Sequence, residues 1–553
     1  MKVTPGLGRA GWGVALVALL VLPRLLALDA DPPPSLDWTS GIWTDEGFYS
    51  YHARNAVLFG QTHDEFHPEA LSPVLDAVQR AVFHIWGVGL TQARAISVLC
   101  SLAALLFFWD ALRRALGARV ALMGLLLLGT DAVFGFYNRL ALLETPAALV
   151  VCAAFWALTW EQPRAWVLAG ALAAGALAFK TTFLLFLPLP LLIWLARRAW
   201  RPAAWYAVGA AVGATLYWVG WGAAHGAEVW RLNHYYWTHQ SQPRSAGEAL
   251  ADVCRALLGP HRSVLGFLLT RSPVLTALAL AGLISGRRRP ARPSLRRDTE
   301  RLLWLWAASG LAFLAVTRYA PTRYDLVVLP ALAGMAAVSL RRLPLCGGRK
   351  RIRRGAVPQD WGGGASCMRS DVRRVRALVL ALSVTIGLGQ YAWWYGTRGY
   401  ATRDTARTLA RIIRPGETLA GDWAPNLCLD NRVRAVPVLP DLANGRDPVG
   451  ELRPAYILVA QTPYPVRFWA RVAPAVVRPD HIAARFRVHD YRLILYRVSV
   501  SPAPNNDATL KTYPAPAAGR YCGRVGNTAL PPARDVHQNR AGLAARAARP
   551  GPD

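Results

Sequence analysis

Long apolar runs separated by short polar stretches dominate the chain up to about residue 396. There are about eleven such runs of roughly 16–23 residues, close to the length that a helix needs to cross the hydrocarbon core of a bilayer. They cover residues 11–28, 93–109, 120–137, 143–160, 164–179, 182–196, 203–222, 264–286, 302–317, 325–340 and 377–395. The pattern predicts an α-helical polytopic membrane protein with about eleven transmembrane helices.

The pattern changes after the last apolar run. Residues 396–500 contain short β-like runs, such as 456–460 and 491–496, between Pro- and Gly-containing turns, which is typical of a small α/β domain. Residues 501–553 are rich in Pro, Ala, Arg and Gly and have few large apolar side chains, so we expect them to be disordered. The predicted organisation is a transmembrane domain at 1–395, an outer α/β domain at 396–500 and a tail.

The distribution of basic residues predicts the orientation in the membrane. The 553 residues include 63 Lys and Arg but only 33 Asp and Glu, a net charge of +30 that would suit either a nucleic-acid binder or a membrane protein with basic loops. Of the 63, 27 lie in the alternate loops that are cytoplasmic if the N-terminus is inside, against 10 in the opposite loops. This asymmetry predicts a multi-pass cell-membrane protein with a cytoplasmic N-terminus, an extracytoplasmic C-terminal domain and no nucleic-acid partner.

Several ionisable residues lie in gaps that this topology places on one side of the membrane. Charged groups at the edge of a bilayer are costly, so each is a candidate for function. The outer gaps, beginning with the first outer loop at 29–92, contain Asp45-Glu46, Arg139, Glu144, Lys180 and Arg323-Tyr324. We expect these distant positions to gather at the outer surface of the membrane.

The acid pair in the first outer loop has two interpretations. Asp45 and Glu46 precede an aromatic, helix-like run, and a carboxylate held at the boundary of lipid and water suits a general base. Alternatively, the pair opens a solvated helix, with Asp45 as its N-cap and Glu46 in its first turn. The local pattern leaves both open.

The cationic candidates also have structural alternatives. Only Lys2, Lys180, Lys350 and Lys511 are lysines among the 63 basic residues, so a lone lysine between two apolar runs indicates a site for a compact charge, such as one that binds a lipid phosphate. Lys180 and Arg139 could instead extend to the membrane surface, and Glu144 could stabilise the N-terminus of a helix.

Five segments resemble a known family when they are taken in order. They are WTDEGFYSYHARN from Trp43, the His67-Pro68 pair, FGFYNRLALLETPA from Phe134, LAFKTTFLLFLPLPLL from Leu177 and TRYDLVVLPALA from Thr322. Together they resemble the type C glycosyltransferases, in particular the family-39-like group of protein O-mannosyltransferases and aminoarabinose transferases, over residues 10–345. Two positions depart from the family pattern: Glu144 stands where an Asp is usual, and His67-Pro68 replaces a basic residue followed by Pro-Pro-Leu.

The resemblance implies an enzyme that moves a sugar from a polyprenyl-phosphate donor to an acceptor hydroxyl at the outer face, with inversion. The acceptor could be a glycan, a lipid or a protein. Asp45 is expected to be the base, with Glu46 as second choice and Glu144 as a group that orients the acceptor. The residues expected to bind the donor or its lipid phosphate are Arg139, Lys180, Arg323, Tyr324, Tyr49 and His67.

Other possibilities stay open at this stage. No cofactor is certain, although Asp45 and Glu144 would hold a divalent ion if one is used. The alternative function is a transporter or flippase for lipid-linked sugars, but the chain shows no repeated halves and its charges do not lie near the middle of the membrane. A membrane scaffold without catalytic activity is a third possibility. Segments 343–376 and 501–553 have no functional interpretation.

Overall fold

Helices make up most of the described residues between Arg9 and Thr397 in the computed structural model. The structure describes residues 9–60, 71–236, 264–285, 294–317, 319–342, 364–440 and 442–498, together with positions 238, 247, 251 and 254. All described residues fall in one compact unit, Met1–Tyr513. His67 and the tail 501–553 lie outside the described residues, as does most of segment 343–376.

Most helices of the first part coincide with the predicted apolar runs, but two lie in the loop predicted at 29–92 and one, Ala223–Tyr236, follows the run at 203–222. In chain order they are α1 (Arg9–Leu25), α2 (Gly41–Phe59), α3 (Pro73–Trp86), α4 (Leu90–Leu116), α5 (Ala118–Gly129), α6 (Ala132–Tyr137), α7 (Glu144–Leu158), α8 (Pro163–Gly175), α9 (Pro188–Ala196), α10 (Trp200–Tyr217), α11 (Ala223–Tyr236), α12 (Val264–Arg271), α13 (Pro273–Ser285), α14 (Leu295–Val316), α15 (Leu329–Arg342) and α16 (Gly364–Thr397). Short 3₁₀ segments include Thr181–Phe186 and Thr322–Val327.

Three helical stretches among the described residues are long and apolar enough to cross a membrane: Leu90–Leu116, Trp200–Tyr235 and Arg374–Ile412. Several other apolar helices are only 10–17 residues long. Several of the predicted runs are divided, because turns and 3₁₀ segments interrupt them. The count of about eleven membrane spans therefore stays a prediction, whereas the mostly helical fold is confirmed.

Helix α2 carries the acid pair, and its start excludes one of the two interpretations of that pair. The helix begins at Gly41, and the Trp43 backbone N–H already donates a hydrogen bond to the Ser40 carbonyl at 2.8 Å. Asp45 therefore lies in the second turn, and the alternative that it caps the helix is wrong. The helix ends at Gly60, whose positive φ of 68° closes the last turn.

The part after Thr397 is an α/β unit with a five-stranded sheet. Its elements are α17 (Ala401–Ile412), β1 (Thr418–Ala420), α18 (Ala424–Leu427), β2 (Arg434–Val436), β3 (Tyr456–Ala460), α19 (Pro463–Val472), β4 (Ile482–Val488) and β5 (Tyr491–Arg497). The strand order is β2-β1-β3-β5-β4, parallel among the first three and antiparallel among the last three. Strand β3 is buried along its whole length, as expected for the central strand with its continuous apolar run.

The α/β unit packs directly on helix α2. The Gly47 backbone N–H donates to Asn426 Oδ1 at 3.0 Å, and the Asn55 amide donates to the Ala435 carbonyl at 2.8 Å. A Cβ on Gly47 would lie 2.0 Å from the Asn426 backbone nitrogen, so only glycine allows this approach. The helix that carries Asp45 is therefore held in place by the sheet unit.

Candidate functional site

Four of the predicted site residues form a connected cluster of charges. Arg323 Nη2 lies 2.8 Å from Asp45 Oδ2, and Arg323 Nε lies 3.4 Å from Glu144 Oε1. The same Glu144 oxygen lies 3.3 Å from Lys180 Nζ. Residues from α2, the start of α7 and two 3₁₀ segments thus meet at one place, as the topology predicted.

The cluster is buried, and several of its polar atoms have no hydrogen-bond partner among the described residues. The Glu144 side chain is fully buried, and that of Arg323 is 5% exposed. Both oxygens of Glu144 and the Nε and Nη1 atoms of Arg323 make no hydrogen bond. Because buried polar groups are nearly always paired, unpaired atoms here are typical of a functional site rather than of a structural ion pair.

Asp37 is a member of the cluster that the sequence interpretation missed. Its buried Oδ2 lies 3.8 Å from Arg323 Nη1 and accepts a hydrogen bond from the Tyr137 hydroxyl at 2.9 Å. Asp37 is also an acid in the outer loop, so the argument that singled out Asp45 applied to it equally. With Asp37, three carboxylates surround the two cations.

Gly41 makes room for the cluster. A Cβ at this position would lie 2.5 Å from Arg323 Nη1 and 3.1 Å from Asp45 Oδ2. A larger residue would push apart the ion pair on which the site is built. The glycine at the first position of α2 is therefore explained by close approach and not by backbone conformation.

Two tyrosines flank Lys180. Its Nζ atom lies 5.2 Å from the centre of the Tyr324 ring and 5.8 Å from that of Tyr49. Aromatic faces at this distance attract a cation and restrict where the long side chain can go. The structure thus brings both predicted tyrosines to the lysine, although their roles stay predictions.

The environment of Asp45 differs from that of an ordinary surface carboxylate. Its side chain is 17% exposed and that of Lys180 is 14% exposed, whereas those of Arg323 and Glu144 are closed off. Burial raises the pKa of Asp45 above its ordinary value of 3.8, Glu144 adds to the rise, and the Arg323 guanidinium opposes it without cancelling it. A carboxylate with a raised pKa is a stronger base when it is ionised.

Glu46 does not share the site with Asp45. Both of its carboxylate oxygens are bound by Arg94, at 2.8 Å to Nε and 2.6 Å to Nη2, and the Ala141 backbone N–H donates to it as well. The side chains of Glu46 and Arg94 are 1% and 3% exposed. The arrangement fits a structural ion pair and does not support the expectation that Glu46 is a base.

Arg139 also lies away from the cluster. Its two terminal nitrogens donate to the Pro23 and Ala27 carbonyls at 2.6 Å, and its guanidinium lies over the Trp394 ring. These bonds satisfy carbonyls at the end of α1, which is a common role for a basic side chain at a helix C-terminus. The expectation that Arg139 binds a lipid phosphate is not supported. His67 lies outside the described residues.

Asp45 and Glu144, which would hold a divalent ion if one is used, both lie beside a cation. Among the described residues, no group of three or more His, Cys, Asp and Glu side chains is arranged to hold a metal ion. Asp45 and Glu144 each lie within 3.4 Å of the Arg323 guanidinium. A cationic neighbour repels a metal ion, so Asp45 and Glu144, as placed here, suit the Arg323 guanidinium better than a divalent metal.

Comparisons with known proteins give a partial match to one family model and a similar fold. A family model described as dolichyl-phosphate-mannose-protein mannosyltransferase matches residues 67–221. Curated protein sequences gave no match. The structure is similar to that of ArnT from Cupriavidus metallidurans bound to undecaprenyl phosphate, with a TM-score of 0.58 and 18% identity over 89% of this chain and 99% of that chain. The same ArnT in the apo state gives a TM-score of 0.56, with 18% identity over 88% and 98%.

A more distant similarity is to an archaeal oligosaccharyltransferase. AglB from Archaeoglobus fulgidus, in complex with an inhibitory peptide and a dolichol phosphate, gives a TM-score of 0.47 and 13% identity. That comparison covers 81% of this chain and 69% of that chain.

Replacing Glu46 should affect folding more than replacing Asp45. The change Glu46→Gln leaves the Arg94 charge buried without its partner, which costs about 3–5 kcal/mol. Asp45→Asn keeps the shape of a partly exposed side chain and should change stability much less. Thermal unfolding of the purified full chain in detergent, followed by tryptophan fluorescence, would measure both.

A surface acid provides the control. Asp480, whose side chain is 59% exposed, should tolerate Asp480→Asn without a change in the unfolding midpoint. If Glu46→Gln unfolded at the same temperature as this control, the structural role of the Glu46–Arg94 pair would be wrong.

Proposed function

We propose, from the type C glycosyltransferase fold that the chain has, that it is an integral-membrane glycosyltransferase. The donor is a polyprenyl-phosphate-linked sugar and the acceptor presents a hydroxyl on the outer face of the cytoplasmic membrane. The observation that carries the proposal is the cluster of Asp45, Glu144, Lys180 and Arg323, in which a part-exposed carboxylate contacts the buried Arg323 and the part-exposed Lys180 lies on the other side of Glu144. ArnT, which has the same fold, was crystallised with undecaprenyl phosphate.

The chemical step needs few protein groups. The acceptor hydroxyl gives its proton to a carboxylate, and its oxygen forms a bond to the anomeric carbon of the sugar. The bond between that carbon and the phosphate oxygen breaks at the same time, and its electron pair leaves on the lipid phosphate. One in-line displacement inverts the configuration at the sugar carbon, and the phosphate leaves without a strong general acid.

Asp45 is the proposed base. It is the one acid of the cluster that is part-exposed, whereas Glu144 and Asp37 are buried at the side-chain level. A base must come within about 2.6–3.2 Å of the hydroxyl that it deprotonates, which requires an accessible carboxylate. Contact with Arg323 fixes the orientation of the Asp45 side chain.

Lys180 and Arg323 are the proposed ligands of the lipid phosphate. Arg323 Nη1 and Nε donate no hydrogen bond within the described residues, so they have the capacity to bind phosphate oxygens. Cations placed where negative charge develops stabilise a transition state most when water is excluded. Glu144, in contact with both cations, sets the distance between them and acts as a positioning residue.

A transporter or flippase for lipid-linked sugars is the second candidate. It could use the same cations to bind a lipid phosphate, but it would have no use for a carboxylate placed to accept a proton from an acceptor. The two functions therefore differ in how they respond to the loss of Asp45.

The change Asp45→Asn should lower the rate of sugar transfer by at least about 10²-fold, because it removes the general base and keeps the shape of the side chain. The assay uses full-length protein in liposomes with undecaprenyl-phosphate-linked sugars as donors and methyl glycosides or Ser/Thr peptides as acceptors. Asp480→Asn is the matched control and should transfer at the wild-type rate. Transfer by Asp45→Asn at a near wild-type rate would refute the assignment, and translocation of the donor without any new glycosidic product would favour the transporter.

The rate should also depend on pH through Asp45. The base acts only when it is ionised. As the pH increases through the pKa of Asp45, kcat/KM should therefore rise, and as the pH decreases and the carboxyl becomes protonated, kcat/KM should fall. Because burial raises this pKa, the midpoint of the rise should lie above 3.8. A profile of kcat/KM against pH in the same liposomes measures it, and a midpoint at or below the ordinary value would contradict the role of Asp45.

A further inference from the structure

A cavity of about 530 Å³ lies between the first outer loop and the α/β unit. Asp37, Trp38 and Thr39 form one wall of it, and residues at the ends of β3 and β5, including Gln461, Tyr491 and Arg492, form the other. Its volume is in the range of small-molecule sites, about 300–1,000 Å³. None of the roles proposed above for the charged cluster uses this cavity.

The cavity adjoins the cluster through two of its own residues. Asp37 Oδ2 lies 3.8 Å from Arg323 Nη1, so one acid belongs both to the cavity wall and to the cluster. Thr39 Oγ1 and Asp45 Oδ2 lie 3.2 and 3.1 Å from the same point, the position that a Cβ on Gly41 would occupy. A ligand in the cavity would therefore have the proposed base close to its inner end.

The lining combines aromatic faces with groups that both donate and accept hydrogen bonds. The large apolar ring of Trp38 is 38% exposed and borders the cavity. Tyr491 lies on the opposite wall. An aromatic ring packs against the C–H face of a sugar, and the surrounding amide, hydroxyl and carboxylate groups suit its hydroxyls. Gln461, Thr39 and Thr462 supply neutral donors and acceptors around the rings.

The charges of the lining do not suit an anion. Asp37 and Asp490 provide two negative charges, whereas Arg492 is the one arginine in the lining and His489 the one histidine. A site for a phosphorylated headgroup needs an excess of cations. The balance fits a neutral ligand.

The backbone at the cavity does not suit an extended peptide. A peptide commonly binds by adding a strand to an exposed sheet edge. Strands β3 and β5, which end at the cavity, both lie inside the sheet, and the Gln461 backbone N–H is already bonded to the Arg492 carbonyl at 2.8 Å. The strands at this cavity therefore offer no free edge for a peptide.

We infer that this cavity binds the acceptor of the reaction and that the acceptor is a carbohydrate. The inference rests on the proposed function, since it places the acceptor beside Asp45. A sugar ring between Trp38 and Tyr491 would direct one hydroxyl past Thr39 toward the base. The α/β unit then selects the acceptor, while the helical part holds the lipid-linked donor.

The wall formed by the α/β unit is fixed to the first outer loop. The His489 ring stacks on Trp43 at a centroid distance of 3.9 Å, and His489 Nε2 lies 3.1 Å from Asp31 Oδ2. Asp31 is buried and also accepts from the Thr402 backbone N–H at 3.3 Å. The turn between β4 and β5 is therefore held in place, and the cavity has two supported walls.

The test replaces lining residues and measures the two substrates separately. Full-length protein in liposomes is assayed with an undecaprenyl-phosphate-linked sugar as donor and p-nitrophenyl disaccharides or Ser/Thr peptides as acceptors. Trp38→Ala, Gln461→Ala and Arg492→Ala should each raise the KM for the disaccharide about tenfold or more, the change expected for losing one good contact. The KM for the donor should change less than about twofold.

Two variants outside the cavity serve as controls. Arg485 is exposed on β4, Tyr464 is exposed on α19, and neither lines the cavity, so Arg485→Ala and Tyr464→Ala match the lost charge and the lost ring. Both should leave the KM values for donor and acceptor unchanged. If the lining variants raised the KM for the donor instead, or if peptides were the acceptors that were used, the inference would be overturned.

A binding measurement separates failure of this inference from failure of the proposed function. Saturation-transfer NMR with the same disaccharides on the Asp45→Asn protein detects binding without any reaction. Binding that is lost in Trp38→Ala but kept in Tyr464→Ala supports the cavity even if no transfer is ever observed. Absence of binding in Asp45→Asn and wild-type protein alike overturns the inference while leaving the enzyme proposal to its own test.

Discussion

One guanidinium holds the candidate site together. Arg323 touches Asp45 at 2.8 Å and Glu144 at 3.4 Å and lies 3.8 Å from Asp37, so a single cation lies among three carboxylates. Without it, the acids would repel one another in surroundings that screen charge poorly. The ion pairs also join the first outer loop, the start of α7 and the 3₁₀ segment Thr322–Val327, which are far apart in sequence.

The α/β unit supports this arrangement through its contacts with α2. Helix α2 carries Asp45 on the side of the cluster, Glu46 on the side of Arg94, and Gly47 against Asn426. The three consecutive residues thus tie one helical turn to three neighbours. The orientation of the base therefore depends on the packing of the sheet unit as well as on the helical part, which couples acceptor recognition to catalysis in the proposed function.

Topology predicted the site better than local pattern did. The alternation of inner and outer gaps places Asp45, Glu144, Lys180 and Arg323 on one surface, and the structure brings them within contact. The acid pair misled because neighbouring residues of a helix point in directions about 100° apart, so Asp45 and Glu46 do not face the same site. Which of the two acids faces the cluster depends on where α2 begins, and the sequence pattern does not give the start at Gly41.

Tertiary contacts explain the other differences. Carbonyls at the end of α1 take the donors of Arg139, and no periodicity reveals such a bond. The cavity combines the first outer loop with turns that follow β3 and β4, more than 400 residues later. The cavity exists only because the helical part packs against the α/β part, and composition and spacing do not encode that packing. The apolar runs and the β-like runs predicted each part by itself.

The central claim is that Lys180 and Arg323 receive the phosphate of a lipid-linked donor beside Asp45. The most direct test is a cryo-EM structure of the full-length protein in a lipid nanodisc with undecaprenyl phosphate. The account predicts density for the phosphate within hydrogen-bond distance of Lys180 Nζ and Arg323 Nη1. A phosphate bound at Arg139, or at any other site away from Lys180 and Arg323, would contradict the account.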